Sequence, residues 1–256
     1  MVQLVDLHIG YEHKLIQRNL NVSADKGVFI CLLGTNGCGK STLLRTLAGL
    51  QQPLSGSVLI DNRNIHSILQ EQRAKLLSVV LTDKIDIDNA TISEIVSLGR
   101  YPYTSFLGGL TADDRQIVNA AIGQVLLQGR ESERYNALSD GEKQRVVIAK
   151  ALAQSTDVIL LDEPTSHLDV PNRIKTMLLL QRLAHEQNKT IICSSHDLDI
   201  ALQTADKLWL MLTNQGGIIQ GTPQQLLQHQ HIQQVFADDS YTLVEQGNGV
   251  QIKFTH

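Results

Sequence analysis

Short apolar runs alternate with segments of helical periodicity along most of this chain. The run VFICLLG at residues 28–34 is typical of a strand buried on both faces, and KSTLLRTLAGL at residues 40–50 has the pattern of a helix that ends near Gly49. Further strands are predicted at residues 76–82, 157–162, 190–195 and 207–212. This alternation predicts an α/β fold with a mostly parallel sheet.

Two segments depart from that alternation. Residues 53–65 begin with a Pro/Ser/Gly turn and predict an antiparallel edge. Residues 83–155 have helical periodicity, clearest at 92–99 and 113–128, so we expect an α-helical lobe inserted into the α/β core. The predicted domains are an α/β domain of residues 1–222, with its core in 1–82 and 156–222 and its lobe in 83–155, and a Gln-rich C-terminal extension of residues 223–256 with a small hairpin around TLVEQGNGVQIKF.

The composition narrows the class of protein. The 256 residues are 42% hydrophobic and 19% charged, which suits a large buried core. The net charge of -4 and the lack of a basic run argue against nucleic acid as the main partner. No apolar run approaches the roughly 20 residues of a spanning helix, and the start MVQLVDLHIG lacks the pattern of a signal peptide. Three cysteines without metal-type spacing indicate a reducing, cytosolic compartment.

A glycine-rich loop lies between the predicted strand 28–34 and the predicted helix 40–50. Its sequence, GTNGCGKST, fits the pattern G-x-x-x-x-G-K-[ST], in which backbone N–H groups and a helix N-terminus surround phosphate oxygens. Lys40 is expected to reach the β- and γ-phosphates, and the Ser41 hydroxyl to bind Mg²⁺. The predicted ATP-binding residues of the loop are Gly34, Thr35, Asn36, Gly37, Cys38, Gly39, Lys40, Ser41 and Thr42.

Cys38 lies inside this loop, beside Lys40 and a helix N-terminus. Such surroundings lower the pKa of a thiol, so we predict a reactive cysteine that ATP protects against N-ethylmaleimide. The alternative is a small residue that only fills space.

Two carboxylates follow the apolar strand in VILLDE, residues 158–163. Asp162, at the end of the strand, is placed to hold Mg²⁺ through water. Glu163 is placed to polarise the attacking water, as a catalytic residue. Downstream of a phosphate loop, this pair indicates nucleotide hydrolysis.

Three more motifs complete the pattern: LSDGE at residues 138–142, SHLD at 166–169 and SSHD at 194–197. With the loop and the acidic strand, in this order and spacing, they resemble the ATP-binding subunit of ABC transporters over about residues 2–225. The resemblance implies a P-loop NTPase (RecA-like) core with an antiparallel β edge and an inserted α-helical lobe. It also implies ATP and Mg²⁺ as cofactors.

The same resemblance implies a role for each motif. Tyr11 would stack on adenine, and His196 would contact the γ-phosphate as a second catalytic residue. The signature, which acts on the nucleotide of the opposite subunit, would consist of Leu138, Ser139, Asp140, Gly141 and Glu142. The D-loop would consist of Ser166, His167, Leu168 and Asp169.

The partners also follow from the resemblance. It implies a head-to-tail homodimer with two ATP molecules between the subunits. It further implies integral-membrane permease subunits and, through them, a substrate-binding protein. The chain would then lie peripherally on the cytoplasmic face of the inner membrane.

A narrower resemblance concerns LGRYPYTSF, residues 98–106. It is similar to the LGRxPY segment of subunits that serve iron–siderophore, haem and cobalamin importers, where it suggests contact with the permease. The alternative functions are a non-transport ABC ATPase and a regulatory subunit without turnover. The single cassette length argues against the first, and the presence of Glu163 and His196 argues against the second.

Some positions depart from the family pattern. The Q-loop position, usually glutamine, is Thr82 here, followed by Asp83, which could reach the metal instead. Asp140 and Glu142 bring two carboxylates to the signature. Asp140 either points at the γ-phosphate and weakens closure, or turns outward or pairs with Lys143 or Arg145; we favour the second arrangement.

Overall fold

The computed structural model describes residues 1–12, 14–81, 89–104, 109–213, 216–236, 241–247 and 249–254. The predicted Q-loop position Thr82 and its neighbour Asp83 lie outside the described residues. Their suggested roles therefore stay predictions.

The elements follow the alternation that the sequence predicts. The strands are β1 (Val2–Tyr11), β2 (Lys14–Ala24), β3 (Phe29–Leu33), β4 (Ser55–Ile60), β5 (Arg63–Asn64), β6 (Leu77–Val80), β7 (Val158–Leu161), β8 (Thr190–Ser194), β9 (Lys207–Met211), β10 (Ile218–Gly221), β11 (Tyr241–Gln246) and β12 (Gly249–Phe254). The α-helices are α1 (Lys40–Leu47), α2 (Gln70–Ala74), α3 (Ile92–Ser97), α4 (Ala112–Gln124), α5 (Asp140–Ala153), α6 (Val170–Glu186), α7 (Leu198–Thr204), α8 (Pro223–Gln228) and α9 (His231–Phe236). Short 3₁₀ segments lie at Leu98–Tyr103 and Tyr135–Ala137.

The larger sheet has the strand order β10-β9-β3-β8-β7-β6. Its neighbours pair in parallel from β9 to β6, and β10 is antiparallel at one edge. Every residue of β3, β7 and β8 is buried, which explains why these strands are continuous apolar runs in the sequence.

The smaller sheet is antiparallel, with the order β2-β1-β4-β5. The sequence predicted its β4 and β5 part at residues 53–65 but missed the long hairpin of β1 and β2. Pairing of β1 with β2 shifts register three times, and Asp6 and Asn19 have positive φ angles of 43° and 54°. Such bulges interrupt the period-two alternation by which a half-buried strand is recognised.

The predicted helical lobe comprises α3 to α5, between β6 and β7. The lobe contains a buried ion pair: Arg100 Nε donates to Asp114 at 2.8 Å, and Arg100 Nη1 donates to the Ala153 carbonyl at 2.8 Å. The hydroxyl and N–H of Thr111, together with Arg100, lower the pKa of Asp114 to about 2. The α/β fold with an antiparallel edge and a helical insertion is thus confirmed, while the exact domain boundaries stay a prediction.

The C-terminal extension contains α8, α9 and the paired strands β11 and β12. The hairpin predicted there is confirmed. None of the helices in the described ranges has the length and apolar character to cross a membrane.

Candidate active site

The carboxyl ends of three adjacent strands define the candidate site. β8 lies between β3 and β7, and all three run in parallel. The glycine-rich loop follows β3, the two carboxylates follow β7, and the SSHD segment follows β8. The three motifs therefore meet at the edge where open α/β sheets bind their ligands.

The glycine-rich loop is held tightly between its neighbours. Gly39 has φ of +108°, and a Cβ built on it would lie 2.5 Å from the Cγ2 atom of Ile16. Lys40 is 6% exposed, and its Nζ donates to the carbonyl oxygens of Gly34 at 2.8 Å and Thr35 at 3.2 Å. The ammonium group thus lies across the loop, where it can meet phosphate oxygens.

Cys38 differs from the sequence prediction. The side chain is 6% exposed, and its Sγ lies 2.7 Å from where a Cβ on Gly34 would be. Burial raises the pKa of the Cys38 thiol and outweighs the lowering by the charge and N–H of Lys40. The prediction of a reactive thiol is therefore wrong, and the space-filling alternative fits.

Asp162 is the centre of a hydroxyl network. Its Oδ1 accepts hydrogen bonds from the Ser41 hydroxyl at 3.2 Å and the Ser194 hydroxyl at 2.7 Å. Ser194 Oγ also accepts from the backbone N–H of Glu163 at 2.8 Å. The Ser41 hydroxyl and the Asp162 carboxylate thus meet in one place, and both are the hard oxygen ligands that Mg²⁺ prefers.

Glu163 and His196 form a contact pair. Glu163 Oε1 lies 2.7 Å from His196 Nε2, and both side chains are partly exposed. Glu163 has a positive φ of 49°, a conformation that is costly for residues other than glycine and concentrates at functional sites. The fold therefore holds this carboxylate next to the imidazole at some expense of backbone strain.

The D-loop residues 166–169 lie between β7 and α6. Asp169 caps α6 by accepting from the N–H of Asn172 at 3.0 Å, and His167 is exposed with a φ of +66°. Arg173 Nε donates to the Leu168 carbonyl at 2.8 Å, and its Nη1 donates to Asp197 at 2.8 Å. One guanidinium thus ties the D-loop to the SSHD segment.

The signature residues lie at the start of α5, with Ser139 as the N-cap. The N–H and the hydroxyl of Ser139 both donate to Glu142, and Arg130 Nη1 donates to the same carboxylate. Arg130 and Ser139 lower the pKa of Glu142 to about 2. Asp140 is exposed, and within the described ranges it forms no ion pair with Lys143 or Arg145. The neighbouring carboxylate, Glu142, forms an ion pair with Arg130.

Tyr11 lies at the end of β1 and is 51% exposed. Its hydroxyl is 3.2 Å from Thr42 Oγ1, so the ring stands beside the glycine-rich loop. This position suits a platform for a base, and the stacking role stays a prediction.

The structure thus brings together Lys40, Ser41, Asp162, Glu163 and His196, the residues predicted for phosphate, metal and water. Among the described residues, no hydrogen bond joins the signature to the glycine-rich loop. Sequence reasoning missed Ser194, Arg173 and the buried Gln17. Ser194 had a signal, since it begins SSHD at the end of a buried strand, whereas Arg173 and Gln17 had none.

Comparison with known proteins agrees with this geometry. The family model described as ABC transporter matches residues 17–166. The iron(3+)-hydroxamate import ATP-binding protein of Bacillus subtilis (strain 168) is 35% identical over 235 residues, covering 91% of this chain and 87% of that protein.

Two solved structures are similar along most of the chain. One is a transporter assigned to the metal-chelate ABC type in an inward-facing conformation, with 26% identity, a TM-score of 0.80, and coverage of 99% of this chain and 96% of that one. The other is a dimeric ATP-binding cassette in a post-hydrolysis state bound to ADP and Pi, with 27% identity, a TM-score of 0.73, and coverage of 87% and 99%. On the family match and the strand-end site together, this chain belongs to the ABC transporter family, as one of its ATP-binding, ATP-hydrolysing subunits.

Proposed function

We propose that this chain powers an importer for a metal chelate, an iron–siderophore in the first place, with haem and cobalamin as the other chelates of that class. The similarity to an iron(3+)-hydroxamate import subunit carries the proposal for the cargo. Lys40, Asp162 and Glu163, which lie at the carboxyl ends of neighbouring strands, supply the site for ATP hydrolysis. The similarity to a transporter of the metal-chelate type supports the same class of cargo.

Each residue of the site has a separate role in the proposed hydrolysis of ATP. The loop N–H groups and Lys40 bind the phosphates, while Ser41 and Asp162 are the residues that would hold Mg²⁺. When bound, Mg²⁺ neutralises charge on the β- and γ-phosphate oxygens. Glu163 accepts a hydrogen bond from the attacking water and orients it. His196, 2.7 Å from Glu163, lies where it can stabilise charge that develops on the γ-phosphate.

The proposed active form is a head-to-tail homodimer with two ATP molecules. Its support is the exposure of Ser139 and Asp140 at the start of α5 and the similarity to a dimeric cassette. Glu142 is ion-paired with Arg130, which also pairs with Glu133, so the charge of Glu142 is partly offset. Asp140 is exposed, and a large rise in ATP-driven dimerisation in the Asp140→Gly variant would show that its charge weakens closure.

The proposed permease contact is the 3₁₀ segment Leu98–Tyr103. Tyr101 is 80% exposed, and Leu98 and Tyr103 are also exposed. Arg100 of the same segment is buried, and its guanidinium carbon lies 4.1 Å from the Tyr103 ring centroid. The buried guanidinium therefore supports the exposed aromatic surface. Through the permease, the subunit would serve a substrate-binding protein and lie on the cytoplasmic face of the membrane.

The test is transport by the subunit and its permease in proteoliposomes with internal ATP. Ferric hydroxamate, haem and cyanocobalamin are supplied separately, and the Lys40→Ala variant is the control. We expect uptake of the ferric siderophore that the Lys40→Ala variant abolishes. Uptake of only haem or cobalamin would overturn the siderophore assignment. ATP hydrolysis without uptake of any chelate would favour a non-transport ATPase, and the absence of both would favour a regulatory subunit.

A further inference from the structure

Gln17 has a buried side-chain amide that takes no direct part in the proposed binding or hydrolysis of ATP. It lies on β2 with 1% of its surface exposed. A buried polar side chain is costly unless its donors and acceptors are paired. A glutamine at such a position therefore needs a reason.

Three hydrogen bonds occupy both donors of this amide and one of the two lone pairs of its oxygen. Gln17 Nε2 donates to the Cys38 carbonyl at 3.0 Å and to the Leu212 carbonyl at 2.5 Å. Its Oε1 accepts from the backbone N–H of Gly217 at 3.0 Å. Two carbonyl partners and one N–H partner also fix which end of the amide is nitrogen.

Two of these bonds insert the amide into the β9–β10 hairpin. Leu212 N–H donates to the Gly217 carbonyl at 3.0 Å, which is one half of an antiparallel pair. The other half would join Gly217 N–H directly to the Leu212 carbonyl. The Gln17 amide bridges those two groups instead, so the hairpin anchors the side chain in one orientation.

The third bond reaches the glycine-rich loop. The peptide between Cys38 and Gly39 is planar and trans. Holding the Cys38 carbonyl toward β2 therefore directs the Gly39 N–H away from β2. Because Gly39 has φ of +108° and little steric restraint of its own, an external bond can decide the orientation of this peptide.

We infer that Gln17 is a positioning residue for the phosphate-binding loop: it fixes the Cys38–Gly39 peptide so that the Gly39 N–H faces the phosphates of ATP. The hairpin is the anchor, Gln17 the link and the loop peptide the group that is held. The inference rests on the proposed nucleotide site in this loop.

The experiment compares the buried Gln17 with the partly buried Gln154, because each amide donates to two backbone carbonyls. Gln154 Nε2 donates to Ala74 O at 2.6 Å and Leu77 O at 3.0 Å, at the base of the helical lobe, and it is the matched control. Gln17→Leu and Gln154→Leu are measured for the Kd of MgATP, for kcat at saturating ATP and for urea unfolding. We expect both to lose stability, but only Gln17→Leu to raise the Kd, by about tenfold or more, with kcat within about twofold of the wild type.

A second variant keeps the inference testable if Gln17→Leu does not fold. Gln17→Met keeps an unbranched side chain of similar volume and removes both donors and the acceptor, so it too should raise the Kd for MgATP. Wild-type affinity in every folded Gln17 variant, with binding abolished by Lys40→Ala, would overturn the role of Gln17 alone. Unchanged binding in Lys40→Ala would overturn the proposed nucleotide site and this inference with it.

Discussion

Ser194→Ala removes one hydroxyl that positions both candidate carboxylates. Ser194 is fully buried at the end of β8. It donates to Asp162 at 2.7 Å and accepts from the N–H of Glu163 at 2.8 Å. The substitution deletes both bonds while it changes the side-chain volume very little.

The expected magnitudes follow from those two bonds. A hydrogen bond to a charged carboxylate contributes about 1.5–3 kcal/mol and a neutral one about 1 kcal/mol, so the free energy of unfolding should fall by about 2.5–4 kcal/mol. Glu163 has a strained φ of +49° that its N–H bond helps to maintain. Without that bond the carboxylate shifts from the attacking water, and kcat should fall about tenfold to a hundredfold.

The assay is phosphate release by the purified protein at saturating MgATP, with urea unfolding in parallel. Ser78→Ala is the matched control, because Ser78 is 1% exposed and its hydroxyl has no hydrogen-bond partner among the described residues. The control should retain the kcat of the wild type. A folded Ser194→Ala protein with wild-type kcat would refute the positioning role of Ser194.

Three further outcomes are expected. The pKa of Glu142 is lowered from 4.5 to about 2, so its stabilising contribution is fully present above about pH 4.5 and lost as the pH falls toward 2. Urea unfolding should accordingly give Glu142→Gln a free energy of unfolding about 1 kcal/mol below that of the wild type at neutral pH. Near pH 2 the two proteins should be nearly equal in stability, and a loss of stability that does not depend on pH would contradict the pairing. Arg173→Met should lower kcat about threefold to tenfold, since it unties the Leu168 carbonyl from Asp197, and unchanged turnover would contradict the link. In the native protein, N-ethylmaleimide should modify Cys38 at least about tenfold more slowly than free glutathione by mass spectrometry, because burial raises its pKa; labelling at the rate of glutathione would show the thiol to be accessible.

The candidate catalytic positions could be predicted because each is marked by a sequence pattern of a few neighbouring residues. A glycine-rich loop between a strand and a helix, and acids at the end of an apolar strand, combine residue type with spacing over a few positions. The placement of Lys40, Asp162 and Glu163 at one edge of the sheet could therefore be predicted from the sequence alone, because parallel strands end at the same edge; the roles of these residues stay predictions.

The features that the sequence did not reveal depend on distant neighbours. Cys38 has the local surroundings of a reactive thiol, yet it is buried in a hydrophobic cluster beside Gly34. Gln17 bonds to the N–H of Gly217, 200 positions along the chain. The β1–β2 hairpin was hidden by its own bulges, which break the alternation of buried and exposed positions.

The proposed mechanism requires an ATP-bound dimer in which Glu163 activates the attacking water. Size-exclusion chromatography with light scattering on the Glu163→Gln variant tests it most directly, because that substitution removes the carboxylate and leaves the binding residues in place. We expect a dimer in MgATP that returns to monomer when ATP is removed, together with loss of phosphate release. A variant that stays monomeric in saturating MgATP, or that hydrolyses ATP like the wild type, would contradict it.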